Sequence, residues 1–288
     1  MSLIAEAGVK KAIIQIKGTE QKSCYALKDE WSNNPAAFKD CLVDNGRFNI
    51  GYSISQEPQG TQFRWGLIDE ERKVNINNAE LKVLKGLFQT VLDLDESAAL
   101  ELAASIIDWR DNDSELSIPS GSAENPYYRS LRYSYEARNS EFQALEEVLL
   151  VKGMTQDLFM ELKEYITIYG DGRVNINSAP REVLLALGLG EDIVNKILTF
   201  RYGEDGIEAT ADDNIFDGTS NIAPTLKQAF QLNDAEVNLL TTISELYLVT
   251  ASNHFMINSI ASLENKKNTS TTTCVVDHKG NILYWREP

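Results

Sequence analysis

The sequence is short of the residues that most often carry chemistry. Only two histidines, His254 and His278, and three cysteines, Cys24, Cys41 and Cys274, occur among 288 residues. That is too few for a Cys-rich zinc module or a disulfide framework. An odd cysteine number allows at most one bridge; Cys24 and Cys41 are the closest pair in sequence, and spacing alone does not say whether they meet. Both histidines fall in expected sheet segments, His278 in a turn, without the partners that activate a nucleophile. The motifs G-x-S-x-G, H-E-x-x-H and G-x-x-x-x-G-K-[ST] are missing, and Gly188-Leu189-Gly190 does not run on to a third glycine. Positive charge is scarce as well: 27 Lys and Arg stand against 43 Asp and Glu, a formal charge of −16 that repels phosphate backbones and argues against a nucleic-acid partner. No run of 18 or more apolar residues occurs, so no segment has the makings of a membrane span or a secretory h-region.

What is present is the composition of a folded chain, 43% hydrophobic and 24% charged, long enough for one large or two modest domains with a core that needs no staples. Near the start, Val9, Ile13 and Ile16 share one helical face. Met1-Ser2-Leu3 before them reads equally as a joint to the middle of a longer helix or as a natural amphipathic beginning. Phe48, Ile50, Tyr52 and Ile54 then alternate with polar or small residues as one strand. The turn residues of 56–60 and a second alternation through Phe63, Trp65 and Leu67 to Asp69 complete an expected hairpin. Strand patterns return only in Phe255–Leu263, Thr269–Val276 and Ile282–Trp285.

From about residue 72 to 250 the periodicity is helical, with Leu81, Leu84, Leu87 and Phe88, then Leu100, Ala103, Ala104 and Ile107, three and four apart. The expected fold class is therefore α+β: a discontinuous sheet domain, 1–71 and 251–288, interrupted by a mostly helical domain over 72–250. Inside the helical part, Val74-Asn75-Ile76-Asn77-Asn78-Ala79 recurs as Val174-Asn175-Ile176-Asn177-Ser178-Ala179, and Val83-Leu84 as Val183-Leu184, a duplication at an offset of 100. Each copy reads as a helix start, with Asn77 and Glu80 as a capping box in the first. The second continues through Leu187-Gly188-Leu189-Gly190 to Ile193, Val194, Ile197 and Leu198, which resembles a SAM-like or helix-hairpin-helix unit. Glu191 and Asp192 stand where such a hairpin would hold a phosphate, so a packing role is favoured over a DNA-binding one.

A second concentration of interest runs from Asp108-Trp109-Arg110-Asp111-Asn112-Asp113 to Glu124-Asn125-Pro126-Tyr127-Tyr128. Hard oxygens crowded on a loop suit Ca²⁺, although this is not an EF-hand, since Leu116 and Ser122 occupy the positions of the invariant Gly and Glu; a solvated acidic loop is the plainer reading. The acids from Glu204 to Asp217 invite the same thought with less support. A hydrolase built on a pair of carboxylates has no positive sign.

These features together resemble one family. Ile4–Ala12, the Trp31 segment, Leu67–Asn77, the aspartate loop with its Ala123-Glu124-Asn125-Pro126-Tyr127-Tyr128 continuation, the repeated Val-Asn-Ile-Asn and the terminal Ile282–Glu287 are similar to the K-type minor pseudopilins of type II secretion systems. The resemblance implies a pilin-like N-terminal helix on an antiparallel sheet with a large helical insert. It implies a non-enzymatic tip subunit that joins I-type and J-type minor pseudopilins to start and cap a pseudopilus for protein export. It further implies an upstream hydrophobic helix that anchors the full-length protein in the bacterial inner membrane with its head in the periplasm, and this favours the joined-helix reading of Met1-Ser2-Leu3. Calcium is the expected ion, and Asp108, Asp111, Asp113 and Glu124 the expected metal ligands. The alternatives are a helix-hairpin-helix nucleic-acid binder and a tip minor pilin of a related type IV pilus.

Overall fold

The computed structural model describes residues 1–18, 23–56, 60–119, 121–264 and 268–287. The chain divides into two compact units, one made of residues 1–70, 199–221 and 249–288, the other of 71–198 and 222–248.

The first unit starts with helix α1 (Ser2–Gly18), whose buried stripe is Ile4, Ala5, Gly8, Val9, Ala12 and Ile16. A short α2 (Pro35–Phe38) follows, with Asn34 Oδ1 accepting from the Ala37 N–H at 3.1 Å. Next come strands β1 (Cys41–Val43), β2 (Gly46–Ile50), β3 (Tyr52–Gln56), β4 (Gly60–Arg64) and β5 (Ile68–Asp69). The single strand expected over Phe48–Ile54 is thus two. At Gly51, whose N–H donates to the Asn258 carbonyl at 3.2 Å, the chain leaves one sheet for another. β3 pairs only with β4 in a two-stranded hairpin, among the described residues. The expected turn at 57–59 lies outside the described residues.

The second unit opens with β6 (Val74–Asn75), α3 (Leu81–Leu92), α4 (Glu96–Arg110) and α5 (Asn125–Arg129). It continues through α6 (Gln156–Leu162), β7 (Ile166–Thr167), β8 (Val174–Asn175), α7 (Arg181–Ala186) and most of α8 (Glu191–Arg201), then α9 (Ile222–Phe230) and α10 (Asp234–Tyr247). After β9 (Leu248–Val249) the chain completes the first unit with β10 (His254–Leu263), β11 (Thr269–Asp277) and β12 (Ile282–Arg286).

The main sheet has the order β1-β2-β10-β11-β12, with β5 also on β10, and every pairing is antiparallel. Alternate residues of central β10, Phe255, Ile257, Ser259 and Ala261, are buried, the period-two signature of a sheet with one covered face. α1 covers that face: Ile4, Val9 and Ile16 share a core with Phe48, Ile50, Ile257 and Val276. The helix lies so close that a Cβ at Gly8 would meet Ser259 Oγ, and Phe48 Cδ2 at 2.9 Å. Cys41 and Cys274 are free thiols.

Residues 199–221, expected within the helical insert, belong instead with the sheet unit. Glu208 is clamped between two buried arginines, Arg64 from the end of β4 at 2.8 Å and Arg201 at 2.7 Å. Its carboxylate holds the Arg64 guanidinium above its usual pKa although burial opposes this. Lys28 Nζ adds a bond to the Asp213 carbonyl at 2.7 Å. Burying these charges is tolerable only with such close pairing, although Arg64 Nη1 is left buried without a hydrogen-bond partner.

In the second unit the duplication is visible as geometry. In both copies the first asparagine carbonyl accepts from the N–H groups three and four residues on, at 3.2 and 2.9 Å. In both, its side-chain oxygen accepts from the N–H two residues on, Asn77 at 2.8 Å and Asn177 at 3.0 Å. The asparagines therefore close turns that precede the helices, rather than capping them. α3 is preceded by Glu80 without a side-chain cap bond and α7 by Pro180, so the capping box expected of Asn77 and Glu80 does not form. The two repeat helices cross at equivalent positions, where a Cβ on Gly86 would lie 3.3 Å from the Ala186 carbonyl oxygen. α4 is buried almost all round, through Ala99, Leu102, Ala103, Ala104, Ser105 and Ile106, as befits a helix at the centre of its unit.

Candidate functional site

The four acids singled out in the sequence surround the segment that joins α4 to α5. Asp108 occupies the last turn of α4, Asp111 caps its C-terminus, Asp113 follows in the loop, and Glu124 is the N-cap of α5. One carboxylate oxygen from each of Asp111, Asp113 and Glu124 lie within 4.8 Å of one another. Asp108 is not one of that trio. It is fully buried, and its Oδ1 accepts from the Ser117 N–H at 2.8 Å, which folds the loop back over the end of α4.

The electrostatics of the cluster are unbalanced. Asp108 Oδ2, Asp111 Oδ1 and Glu124 Oε1 are buried without a hydrogen-bond partner, an arrangement that normally costs free energy. Burial is the main cause that raises the Asp111 carboxyl above the usual range, with the negative charges of Asp113 and Asp108 adding to it. Burial likewise raises Glu124, opposed by the Asn125 N–H and reinforced by Asp108, Asp111 and Asp113. Crowded carboxylates of this kind either hold protons or hold a cation. Their oxygens suit a hard ion such as Ca²⁺, which takes six to eight oxygen ligands.

The surroundings keep these acids in place. Trp109 meets Tyr128 edge-on at 5.1 Å, and Tyr128, itself fully buried, packs on Tyr135 at 5.3 Å, so an aromatic wall joins α4 to α5. Lys152 Nζ donates to the Gly121 carbonyl at 2.6 Å and sits 5.1 Å from the Tyr127 ring centroid, pinning the far side of the loop. Arg110 donates to the carbonyls of Ile76 and, at 2.6 Å, of Ala79, so the first Val-Asn-Ile-Asn turn buttresses the end of the aspartate helix. Asn77 of the same turn makes a reciprocal pair with the Phe142 backbone, accepting at 2.8 Å and donating at 3.1 Å. None of these supports was legible in spacing, since they join residues from 7 to 65 positions apart in the chain. The acids themselves were legible because they are concentrated in sequence.

The second acidic loop is closed by its own amides. Asp212 Oδ2 accepts from the N–H groups of Glu204 and Asp205 at 2.8 and 3.1 Å, and the Asp213 carboxylate from those of Ala209 and Thr210 at 2.8 and 3.3 Å. Among the described residues its acids form no group close enough to share an ion. The helix-hairpin-helix-like turn is also self-satisfied: Arg181 pairs with Glu191, and Lys196 with Asp192 at 2.5 Å and Glu236 at 2.8 Å. No basic cluster is left at the start of α8 among these residues for a phosphate.

Comparison with known proteins points in one direction. Residues 46–171, which include β2–β6, α3–α5 and the whole acidic cluster, match the family model for type II secretion system (T2SS) protein K, first domain. A type II secretion system protein K of Aeromonas hydrophila is 26% identical over 215 residues, covering 69% of this chain and 62% of that protein. The chain thus spans somewhat less than two thirds of that relative's length. A chain in the crystal structure of the GspK-GspI-GspJ complex from the enterotoxigenic Escherichia coli type 2 secretion system has the same fold. Its TM-score is 0.70 at 16% identity, with 100% of this chain and 94% of that one covered. Strands β2–β5, the first Val-Asn-Ile-Asn turn and the acidic loop thus lie in the part of the chain that resembles type II secretion system protein K.

Proposed function

We propose that this chain is the head of a minor pseudopilin at the tip of a type II secretion pseudopilus, where it joins I-type and J-type minor pseudopilins to initiate and cap the assembly. The observation that carries this reading is the full-length likeness to a chain of the GspK-GspI-GspJ complex. The unit with α1 against the antiparallel sheet is the pilin-like part, and the helical unit with its duplicated turn is the insert whose bulk stops further subunits from adding. In the full-length protein a hydrophobic helix ahead of α1 anchors the head to the inner membrane on its periplasmic side; no helix among the described residues is long and apolar enough to cross a membrane. The work of the protein lies in contact surfaces rather than catalysis. The nucleic-acid alternative is disfavoured by the charge of −16 and by the paired bases around α8.

The acidic cluster is a calcium site in this reading, with Asp111, Asp113 and Glu124 as ligands and Asp108 adding charge from beneath. The three unpartnered buried carboxylate oxygens support it. A bound ion would neutralise a cluster that burial and mutual repulsion otherwise destabilise, and so would stiffen the α4–α5 connection. The assembly is tested by mixing the chain with I-type and J-type heads and measuring the mass of the product. The ion is tested by the rise in melting temperature that Ca²⁺ produces.

A further inference from the structure

Lys11 of α1 has an unusual partner. Its neighbour Lys10 makes an ordinary helix-surface pair with Glu6 at 2.7 Å. Lys11 has no carboxylate within ion-pair distance among the described residues. Its Nζ donates instead to Cys41 Sγ at 3.1 Å and lies 6.0 Å from the centroid of the Phe48 ring. Cys41 opens β1, which stands at the edge of the main sheet, and its thiol donates to the Ala37 carbonyl at 3.1 Å. Lys11 and Cys41 are both half-buried, so the pair is held in place yet open to small solutes. Cys274, by contrast, is fully buried.

Cysteines that react with oxidants sit partly exposed beside basic groups, and a sulfenic acid condenses with a neighbouring thiol or nitrogen. We propose that Lys11 and Cys41 are an oxidative crosslink site, at which a peroxide joins Nζ to Sγ as a sulfenamide and fastens α1 to the sheet edge. Sulfur attacks one peroxide oxygen. The O–O bond breaks, Cys41 becomes the sulfenic acid, and the other oxygen leaves as water with the thiol proton. The Lys11 amine, having given its extra proton to solvent, then attacks the sulfur; the S–O bond breaks and the hydroxyl leaves as water with an amine proton. Sulfur is oxidised by two electrons and one hydrogen peroxide is reduced to two waters. The flexible lysine stem closes the remaining gap without moving α1. The new bond joins residues 30 apart in the chain and so removes freedom from the unfolded state, as a disulfide does.

Intact-mass analysis of the chain before and after hydrogen peroxide, followed by peptide mapping, tests this. The oxidised parent should be about 2 Da lighter through the loss of two hydrogens, with the peptides holding Lys11 and Cys41 joined until a thiol reductant releases them. A disulfide between Cys24 and Cys41 would have the same mass, so Cys24→Ser is treated beside the parent and should crosslink equally. Lys11→Arg, made in the Cys24→Ser chain, keeps the positive charge without the primary amine. It should stop at the sulfenic acid, which dimedone traps, or pass on to the sulfinic acid. The crosslinked chain should also melt at a higher temperature than the reduced one. A parent that accumulates Cys41 sulfenic acid, a crosslink lost in Cys24→Ser, one retained in Lys11→Arg, or a crosslinked chain that melts no higher would overturn the proposal.

Discussion

At the scale of single residues, the structure separates acids with a buried oxygen that lacks a partner from acids whose carboxylates are taken up by backbone amides. Asp111 and Glu124 belong to the first kind, and replacing Asp111 and Asp113 together by Ala should abolish the rise in melting temperature that Ca²⁺ gives the parent chain; an undiminished rise would place the ion elsewhere. Asp212 is of the second kind. The hydroxyl of Thr210 and the N–H groups of Asp205 and Glu204 bring its carboxyl down to about 2. A carboxyl whose folded-state pKa is depressed contributes stability that is present above its unfolded value and lost as pH falls through the folded one. The 203–217 loop should therefore keep its geometry to pH ~4 and loosen towards pH ~2. Titrating the Asp212 carboxyl resonance checks this, and Thr210→Val should move the midpoint upward. Cys274 shows the same logic for a thiol: burial alone pushes it up to about 12, so it should resist alkylation in the native protein. The four acids were legible from their crowding in sequence, whereas the buried, unpartnered oxygens of Asp108, Asp111 and Glu124 were not, because they depend on what folds over them.

At the scale of elements, close approach of backbones does much to fix the fold. Gly8 lets α1 lie against β10 and β2, and Gly8→Leu should cost about 1–3 kcal/mol by overpacking against Ser259 and Phe48, read as a lowered midpoint in chemical denaturation. The first repeat turn depends on Asn75, whose amide donates to the carbonyls of Tyr169 and Gly170 at 2.9 and 3.0 Å while its oxygen holds the Asn77 N–H. Asn75→Ala leaves those buried groups unpaired and should cost roughly 1–3 kcal/mol; an effect well below 1 kcal/mol would mean that water replaces the side chain easily. Periodicity revealed helices such as α3 and the central strand β10 because one face of each is buried. It missed the break at Gly51, since the alternation of Phe48, Ile50, Tyr52 and Ile54 continues across a change of sheet. It also misread the repeat, because asparagine closes a turn through its own backbone as readily as it caps a helix. The return of residues 199–221 to the sheet unit rests on a buried Arg-Glu-Arg cluster that no local pattern announces.

At the scale of the whole molecule, the proposed tip role puts the weight on contact surfaces of a strongly acidic chain. A charge of −16 predicts no retention by duplex DNA at physiological salt; a steeply salt-dependent shift in electrophoresis would restore the nucleic-acid reading. The mixture of helices and antiparallel sheet was foreseeable because strand patterns cluster at the two ends of the chain and helical ones between them. Which surface meets which partner was not, since contact faces have no periodicity of their own. The most direct measurement is light scattering after size exclusion of this chain mixed with soluble I-type and J-type pseudopilin heads in Ca²⁺. A stoichiometric ternary species is the expected result. Three separate species at tens of micromolar, persisting when the proteins are co-expressed with their N-terminal helices, would contradict the tip-complex account.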